Sequence, residues 1–325
     1  MLNLWLAPLL AFGVSLALVG LLVHTRLGLR LAPDAPNHRS LHTKPVPRVG
    51  GLGIVAGTAV AAGVSQAPSA IVALMGALCL VSLLDDMLDL AARTRFAAHL
   101  AAAGLFVLTL PGLPLWLALP LILAVAWHTN LYNFMDGANG LAGGMTAIGF
   151  AALGLAAWQG GDMALAGCAG SISAAALAFL LFNFHPARIF MGDCGSIPLG
   201  FAAAALGIHG WHLGLWSPWL PLLTFSPFIA DATVTLIRRI ARGERFWQPH
   251  REHYYQRLIR MGWSHRRLAL VAYGLMAIAA ALGSVIQPLS ADAQALVGGI
   301  ALMGYWPLFR AIDRIWREHP AAAAS

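Results

Sequence analysis

The sequence predicts an all-α polytopic membrane protein of about eleven transmembrane helices. Composition is the first reason: 59% of the 325 residues are hydrophobic and only 10% are charged, whereas soluble domains carry about 25% charged residues. With a mean hydropathy of +0.73, most of such a surface has to face lipid. The second reason is the recurrence of apolar stretches near the ~20 residues that cross a bilayer. The third is that every Lys and Arg falls in alternate connections between those stretches.

The stretches run Leu4–His24, Val49–Ala67, Ser69–Leu84, Phe96–Leu110, Pro114–Thr129, Leu141–Trp158, Met163–Phe182, Ser196–Trp211, Pro218–Ile237, Leu268–Ile286 and Ala293–Ile312. The first lacks a basic leader and a small-residue cleavage site, so it reads as a retained helix rather than a signal peptide. Pro and Gly punctuate several breaks, as at Pro111-Gly112-Leu113-Pro114 and Gly160-Gly161-Asp162. Little chain is left over for a soluble module, which predicts one integral membrane domain over residues 1–325.

All 20 basic residues lie before Val49, after Leu84, after Phe182, after Ile237 and in the last helix end and tail. By the positive-inside rule that side is cytoplasmic, with the N-terminus outside and the C-terminus cytoplasmic. Topology thus accounts for the net charge of +7, and no nucleic-acid partner is implied. Of the acids, only Asp162 and Asp292 fall on the outer side, so the polar chemistry is expected at the cytoplasmic face. Cys79, Cys168 and Cys194 share no metal-ligand spacing and predict neither a disulfide framework nor a zinc site.

Five motifs carry polar chemistry. Asp85-Asp86-Met87-Leu88-Asp89 closes the third stretch. Asp85 and Asp89 share a helical face, and such like charges call for a cation or a basic group. Mg²⁺ takes hard oxygen ligands and often uses one or two carboxylates plus substrate phosphates; the bland alternative is a solvated acidic helix end. Asn130, Asn133, Asp136 and Asn139 recur at every third position of Asn130–Gly140, which predicts a polar row along one helical face. Capping and turn chemistry is the bland alternative there. The stretch Asn183–Ser196 sets Asp193 between Gly192 and Gly195, with backbone N–H groups free to approach phosphate and a carboxylate free to hold a metal. In it, Ser196 is either a helix N-cap or a ligand contact, and Phe190 either a base-stacking platform or packing.

The fourth motif, His250–Arg257, offers His250, Arg251, His253 and Arg257 as donors to a diphosphate and its developing charge. For the neighbouring Arg238, Arg239 and Arg242, a basic strip on anionic headgroups is the favoured reading. The fifth, Ser40–Gly51, brings Lys44 and Arg48 into a Pro/Gly-constrained entry to the second helix. His24, His209 and His212 read as interfacial snorkelling. Asp231 either pairs with Arg238 or orients the site.

Taken together, in this order and on one face, DDMLD at Asp85–Asp89, NLYNFMDGANG at Asn130–Gly140 and NFHPARIFMGDCGS at Asn183–Ser196 resemble the polyprenyl-phosphate N-acetylhexosamine-1-phosphate transferases, glycosyltransferase family 4. The ending PHREHYYQRL at Pro249–Leu258 looks like the members that initiate O-antigen and related polysaccharides; phospho-MurNAc-pentapeptide transferases carry consecutive histidines there. One departure is Asn139, where many members have Asp; the family assigns that position to the nucleotide base. The resemblance implies transfer of an N-acetylhexosamine-1-phosphate from a UDP-sugar to undecaprenyl or another polyprenyl phosphate, releasing UMP, as the first lipid-linked step of O-antigen or cell-envelope polysaccharide synthesis. It implies an enzyme of the bacterial inner membrane, with Mg²⁺ (or Mn²⁺) at Asp193 bridging the donor diphosphate.

Combined with the motifs, it gives a catalytic set of Asp85, Asp86, Asp89, Asp136, His250 and His253. Lys44, Arg48, Asn130, Asn133, Asn139, Asn183, Phe190, Arg251 and Arg257 form the substrate-binding set, and Asp193 with Asp85 the metal set. Alternatives are a phospho-MurNAc-pentapeptide transferase and, in another class, a polytopic transporter. A transporter would place its binding groups near the bilayer midplane, often on repeated halves; here they sit at helix ends and no repeat is visible. The sugar and the oligomeric state, a homodimer included, stay open.

Overall fold

A computed structural model describes residues 2–25, 27–34, 45–88, 90–245, 248 and 250–320. Apart from one two-residue strand pair, these residues form helices joined by turns. In chain order they are α1 (Leu2–His24), α2 (Leu27–Leu31), β1 (Pro33–Asp34), β2 (Val46–Pro47), α3 (Gly51–Ser65), α4 (Ser69–Leu88), α5 (Ala92–Val107), α6 (Leu115–Phe134), α7 (Leu141–Gln159) and α8 (Met163–Asn183). There follow α9 (Asp193–His212), α10 (Trp219–Thr224), α11 (Ser226–Ala241), α12 (Tyr254–Arg260), α13 (His265–Val285), α14 (Ala291–Met303) and α15 (Tyr305–Glu318).

Every apolar stretch of the sequence falls on a helix. Seven helical segments among the described residues are long and apolar enough to cross a membrane. The stretches Pro218–Ile237 and Ala293–Ile312 are each two helices, broken at Phe225 and Gly304. The cause is shared. Pro227 and Pro307 lack an N–H and push a ring against the carbonyl four residues back, so the helix stops before them and restarts around them.

Packing without a hydrophobic drive between helices favours small residues and interhelical hydrogen bonds. The centre of this bundle, α8 with α1, α3 and α7 around it, follows that rule. Ser15 on α1 donates to the Ala175 carbonyl of α8 at 2.9 Å, and Ser173 donates to the Ala147 carbonyl of α7 at 2.7 Å. Large apolar side chains point outward instead, among them Leu115, Trp116, Leu119 and Leu123 along α6. Asp162, Ser264 and Ser290 cap α8, α13 and α14 through their side-chain oxygens. The three cysteines are buried and unbridged.

Candidate active site

The C-terminal ends of α4, α6, α8 and α11 meet the N-terminal ends of α7, α9 and α13 at one end of the bundle. The motifs of the sequence converge there. The Arg48–Gly51 segment and the Phe190–Gly195 segment, far apart in sequence, are laced together. Phe190 N–H donates to the Pro47 carbonyl at 2.8 Å, Gly50 N–H to the Phe190 carbonyl at 2.9 Å, and Gly51 N–H to the Met191 carbonyl at 2.9 Å. The lacing depends on Gly192, whose φ is +71° and whose Cα faces the Arg48 carbonyl so closely that a Cβ would lie 1.8 Å from that oxygen.

Gly192 hands the chain to α9, and Asp193 is its first residue. A carboxylate there lies at the positive end of the helix dipole. Asn133 on α6 hydrogen-bonds Asp193, and its Oδ1 accepts from Ser196 Oγ at 2.7 Å. Ser196 is therefore not the N-cap of α9: that position is Gly192, and the serine hydroxyl ties α9 to α6. Asp136 accepts from Gly192 N–H. Its burial, with Asp193 close by, pushes its carboxyl well above the ordinary range.

The carboxylate pair at the end of α4 completes the cluster. Asp85, 9% exposed, has both oxygens engaged, one accepting from Leu90 N–H at 2.9 Å and the other from Arg95 Nη1 at 2.9 Å. Asp86 pairs through Oδ1 with Arg48 Nη2 at 2.6 Å, while its buried Oδ2 has no hydrogen-bond partner among the described residues. Asp86 and Asp193 lie near enough for their charges to interact, as do Asp193 and Asp136. Asp89 and Lys44 lie outside the described residues.

These groups fit a hard divalent cation in one specific way. Among the described residues no three Asp, Glu, His or Cys side chains close on a common point as an all-protein cage would. An unpartnered Asp86 oxygen beside Asp193 is instead the donor set of an ion that takes one or two carboxylates and completes its shell with water and phosphate.

The row Asn130, Asn133, Asp136 and Asn139 is not one helical face. Helix α6 ends at Phe134, and Gly140, at φ +79°, turns the chain into α7. The spacing is lost where α6 ends, so Asp136 and Asn139 ride the turn instead. Asn130 donates back to the Ala126 carbonyl at 2.7 Å and meets His99 of α5. Asn183, 4% exposed, is a cross-brace: its Oδ1 accepts from Gly140 N–H and its Nδ2 donates to the Ile189 carbonyl, both at 2.9 Å. Phe190 is half-buried at the laced segment.

The His250–Arg257 loop is docked onto the same turn. Asp231 of α11 accepts from Tyr254 N–H at 2.9 Å and Tyr255 N–H at 3.0 Å, anchoring the start of α12. The buried His253 lies 3.3 Å from Asp231 and stacks near Phe134, and the Tyr255 hydroxyl donates to the Phe134 carbonyl at 3.0 Å. The His250 ring centroid is 4.8 Å from that of His253. Burial, with His253 and Arg239 nearby, lowers His250 to about 4, so it is neutral at pH 7. Arg251 is half-buried in this loop. Arg257 turns the other way, pairing with Asp313 of α15 at 2.9 Å and lying over Tyr254 and Trp316.

The lipid-strip reading of Arg238, Arg239 and Arg242 is corrected here. Arg238 pairs with Asp313 at 2.6 Å, Arg239 is buried against Glu244 and Glu252, and Arg242 binds the same two glutamates. Acids brought back by the loop satisfy these cations before any headgroup would. Asp231, in turn, is the anchor of α12 and not the partner of Arg238.

Residues that join the site without being singled out individually in the sequence are Arg95, His185, His265 and Tyr273. In sequence Arg95 is only a topology mark, His185 lies inside the Asn183–Ser196 stretch without a role of its own, and His265 and Tyr273 carry no signal. Their partners are 10, 46, 126 and 133 positions away, so only the fold brings them in.

Comparison with known proteins gives the arrangement its context. The sequence profile of glycosyl transferase family 4 matches residues 69–210. A probable undecaprenyl-phosphate N-acetylglucosaminyl 1-phosphate transferase of Bacillus subtilis is 34% identical over 290 residues, covering 81% of this chain and 80% of its own. The chain belongs to glycosyl transferase family 4. A decaprenyl-phosphate N-acetylglucosaminephosphotransferase of Mycobacterium tuberculosis is 31% identical, covering 89% of this chain and 84% of its own. A phospho-N-acetylmuramoyl-pentapeptide-transferase of Synechococcus is 38% identical, but over only 58% of this chain and 57% of its own. Family 4 membership sets aside the transporter alternative. The stretch matched to the family 4 profile runs from α4 to α9 and so contains Asp85, Asp86, Asp136 and Asp193, while Arg48 and the His250 loop lie outside it.

Proposed function

We propose that this family 4 enzyme transfers an N-acetylhexosamine-1-phosphate from a UDP-sugar to undecaprenyl or a related polyprenyl phosphate, releasing UMP, at the cytoplasmic face of a bacterial plasma membrane. The observation that carries the reading is the unpartnered Asp86 Oδ2 beside Asp193 at the start of α9, flanked by Arg48 and Arg95. Such a site is built for phosphates arriving from two substrates. An oxygen of the lipid phosphate attacks the β-phosphorus of the donor. The bond from that phosphorus to the bridging oxygen breaks, and UMP leaves with the electron pair.

A lipid phosphate is already nucleophilic at pH 7, so positioning and charge neutralisation dominate. Asp193 and the second oxygen of Asp86 would hold Mg²⁺, or Mn²⁺ in its place, and the ion would supply charge neutralisation at the donor diphosphate. Asp85 has spent both oxygens on Leu90 and Arg95, which places Asp86 ahead of it as a ligand. Arg48 and Arg95, each with part of its guanidinium exposed, hold the acceptor phosphate near these acids without letting it repel them. Asn139 reads the base, Phe190 stacks on it, and the His250–His253 pair faces the sugar.

Purified protein incubated with undecaprenyl phosphate and UDP-GlcNAc, UDP-FucNAc or UDP-MurNAc-pentapeptide, with and without chelator, tests this. Expected is UMP release with a lipid-diphosphate-sugar product in the mass spectrum from an N-acetylhexosamine donor, lost on chelation. Turnover only with the pentapeptide donor would move the enzyme to peptidoglycan synthesis, and undiminished turnover in chelator would overturn the metal role.

A further inference from the structure

Asn139 sits where two histidines meet. Its Nδ2 lies 3.1 Å from His185 Nδ1, and its backbone N–H donates to His265 Nδ1 at 3.2 Å. The two imidazoles are parallel within 5° at a centroid separation of 5.6 Å. The next residue is held as firmly. Gly140 N–H donates to Asn183 Oδ1 at 2.9 Å, and the Gly140 carbonyl accepts from the Tyr273 hydroxyl at 2.7 Å. With the backbone of both residues tied, what remains to be set is the rotation of the Asn139 amide.

That rotation has chemical content. The nitrogen of an amide only donates and its oxygen only accepts. A side-chain Nδ2 in reach of His185 Nδ1 makes that ring nitrogen the acceptor, so the His185 proton sits on Nε2. One amide N–H is thereby spent on His185, which fixes the rotation of the amide and turns Oδ1 away from that ring, where a ligand can meet it.

We propose that His185 and His265 are positioning residues that hold Asn139 as a hydrogen-bond acceptor, and that this orientation selects uracil over cytosine; the inference rests on the reading of Asn139 as the base-binding residue. Uracil carries a hydrogen on N3 and donates to Oδ1. Cytosine has a lone pair at N3 and would meet Oδ1 lone pair against lone pair. The opposite amide rotamer would reverse the preference. A carboxylate accepts at both oxygens and has no wrong edge, which makes Asn139→Asp the natural control.

The test is direct binding of UMP and of CMP to the detergent-solubilised protein by calorimetry, beside steady-state kinetics with the UDP-sugar. Wild type is expected to prefer UMP. His185→Ala frees the amide to rotate, so UMP affinity should fall about five- to tenfold, the worth of one hydrogen bond. CMP affinity should hold or rise, and the donor KM should rise by more than kcat falls. In the Asn139→Asp background, His185→Ala should leave the UMP-to-CMP ratio unchanged. His265→Gln, whose amide oxygen also accepts an N–H, should retain more UMP affinity than His265→Ala.

An unchanged ratio in His185→Ala, equal loss of both nucleotides, or a wild type indifferent to the base would each overturn the proposal. So would an Asn139→Asp protein that binds CMP as well as UMP. Asn139→Ala binding both nucleotides as wild type does would instead sink the base-binding role of Asn139 beneath it.

Discussion

Asp231→Ala should undock the His250 loop while leaving the transmembrane bundle intact. Asp231 is 5% exposed and accepts from the N–H groups of Tyr254 and Tyr255, with Thr235 Oγ and His253 Nδ1 at 3.2 and 3.3 Å. Truncation strands two buried N–H donors at the start of α12. Each stranded donor costs about 1–3 kcal/mol, and loss of a helix cap alone about 1–2 kcal/mol. Water entering the vacated space recovers part of this, so the lower bound of roughly 2 kcal/mol is the working figure, a factor of about 30 in the docking equilibrium. The loop's other anchors, Glu252 on Arg239 and Arg242, Arg257 on Asp313 and the Tyr255 hydroxyl on the Phe134 carbonyl, offer no acceptor to the two stranded N–H groups. The expected result is a rise in donor KM of about an order of magnitude or more, with faster proteolysis within residues 241–253 and an unshifted melting of the bundle. A variant with wild-type KM and wild-type protease resistance would refute the anchoring role.

Asp193→Asn should abolish transfer without loss of folding, since it removes a hard ligand and the charge at the start of α9; near wild-type turnover at limiting Mg²⁺ would count against it. Gly192→Ala should be as damaging, because its Cβ would collide with the Arg48 carbonyl at a φ of +71°; a crystal or cryo-EM structure showing an unmoved Arg48 segment would contradict this. Cysteines at Gly161 and Ala291 should react with an impermeant thiol reagent in intact cells, and one at Arg245 only after lysis. The native cysteines are buried and give a low background, and the inverse pattern would invert the topology. His250 is neutral in the folded loop with a pKa near 4 against about 6.5 unfolded. The docked loop should therefore lose stability progressively as pH falls from about 6.5 toward 4; His250→Asn should flatten that dependence in a limited-proteolysis pH series.

What was legible in the sequence follows the range of the physics. A spanning helix is set by some twenty neighbouring residues, and every apolar stretch duly falls on a helix; two of them are cut where Pro227 and Pro307 deny the helix its geometry. Turn chemistry is equally local, yet it misled at Asn130–Asn139, where regular spacing concealed the end of α6 at Phe134. Side-chain pairing is the least legible. Arg238 reads as a headgroup contact until the fold carries Asp313 to it across 75 residues. His265 shows no signal at all before α13 is seen lying against the Asn139 turn.

On the proposed reading, in which the site takes a cation and phosphates together, the electrostatics of the cluster give its basic residues a purpose. Four carboxylates, Asp85, Asp86, Asp136 and Asp193, converge among the described residues, and left to themselves they would repel an incoming diphosphate. Arg95 offsets Asp85 and Arg48 offsets Asp86. Asp136, buried against Asp193 and held by Gly192 N–H, has its carboxyl pushed upward and carries less than a full charge. With the two ion pairs balanced, at most two negative charges are left over, on Asp136 and Asp193 at the mouth of α9. A single divalent cation cancels that and leaves a small surplus for phosphate oxygens, whereas without the two arginines it would leave a net repulsion. The arginines thus need not contact the reacting atoms to be indispensable. Arg48→Gln should raise the Mg²⁺ concentration needed for half-maximal turnover and the KM for polyprenyl phosphate together. An effect on the lipid alone would mean that Arg48 serves the acceptor and not the charge balance of the acids.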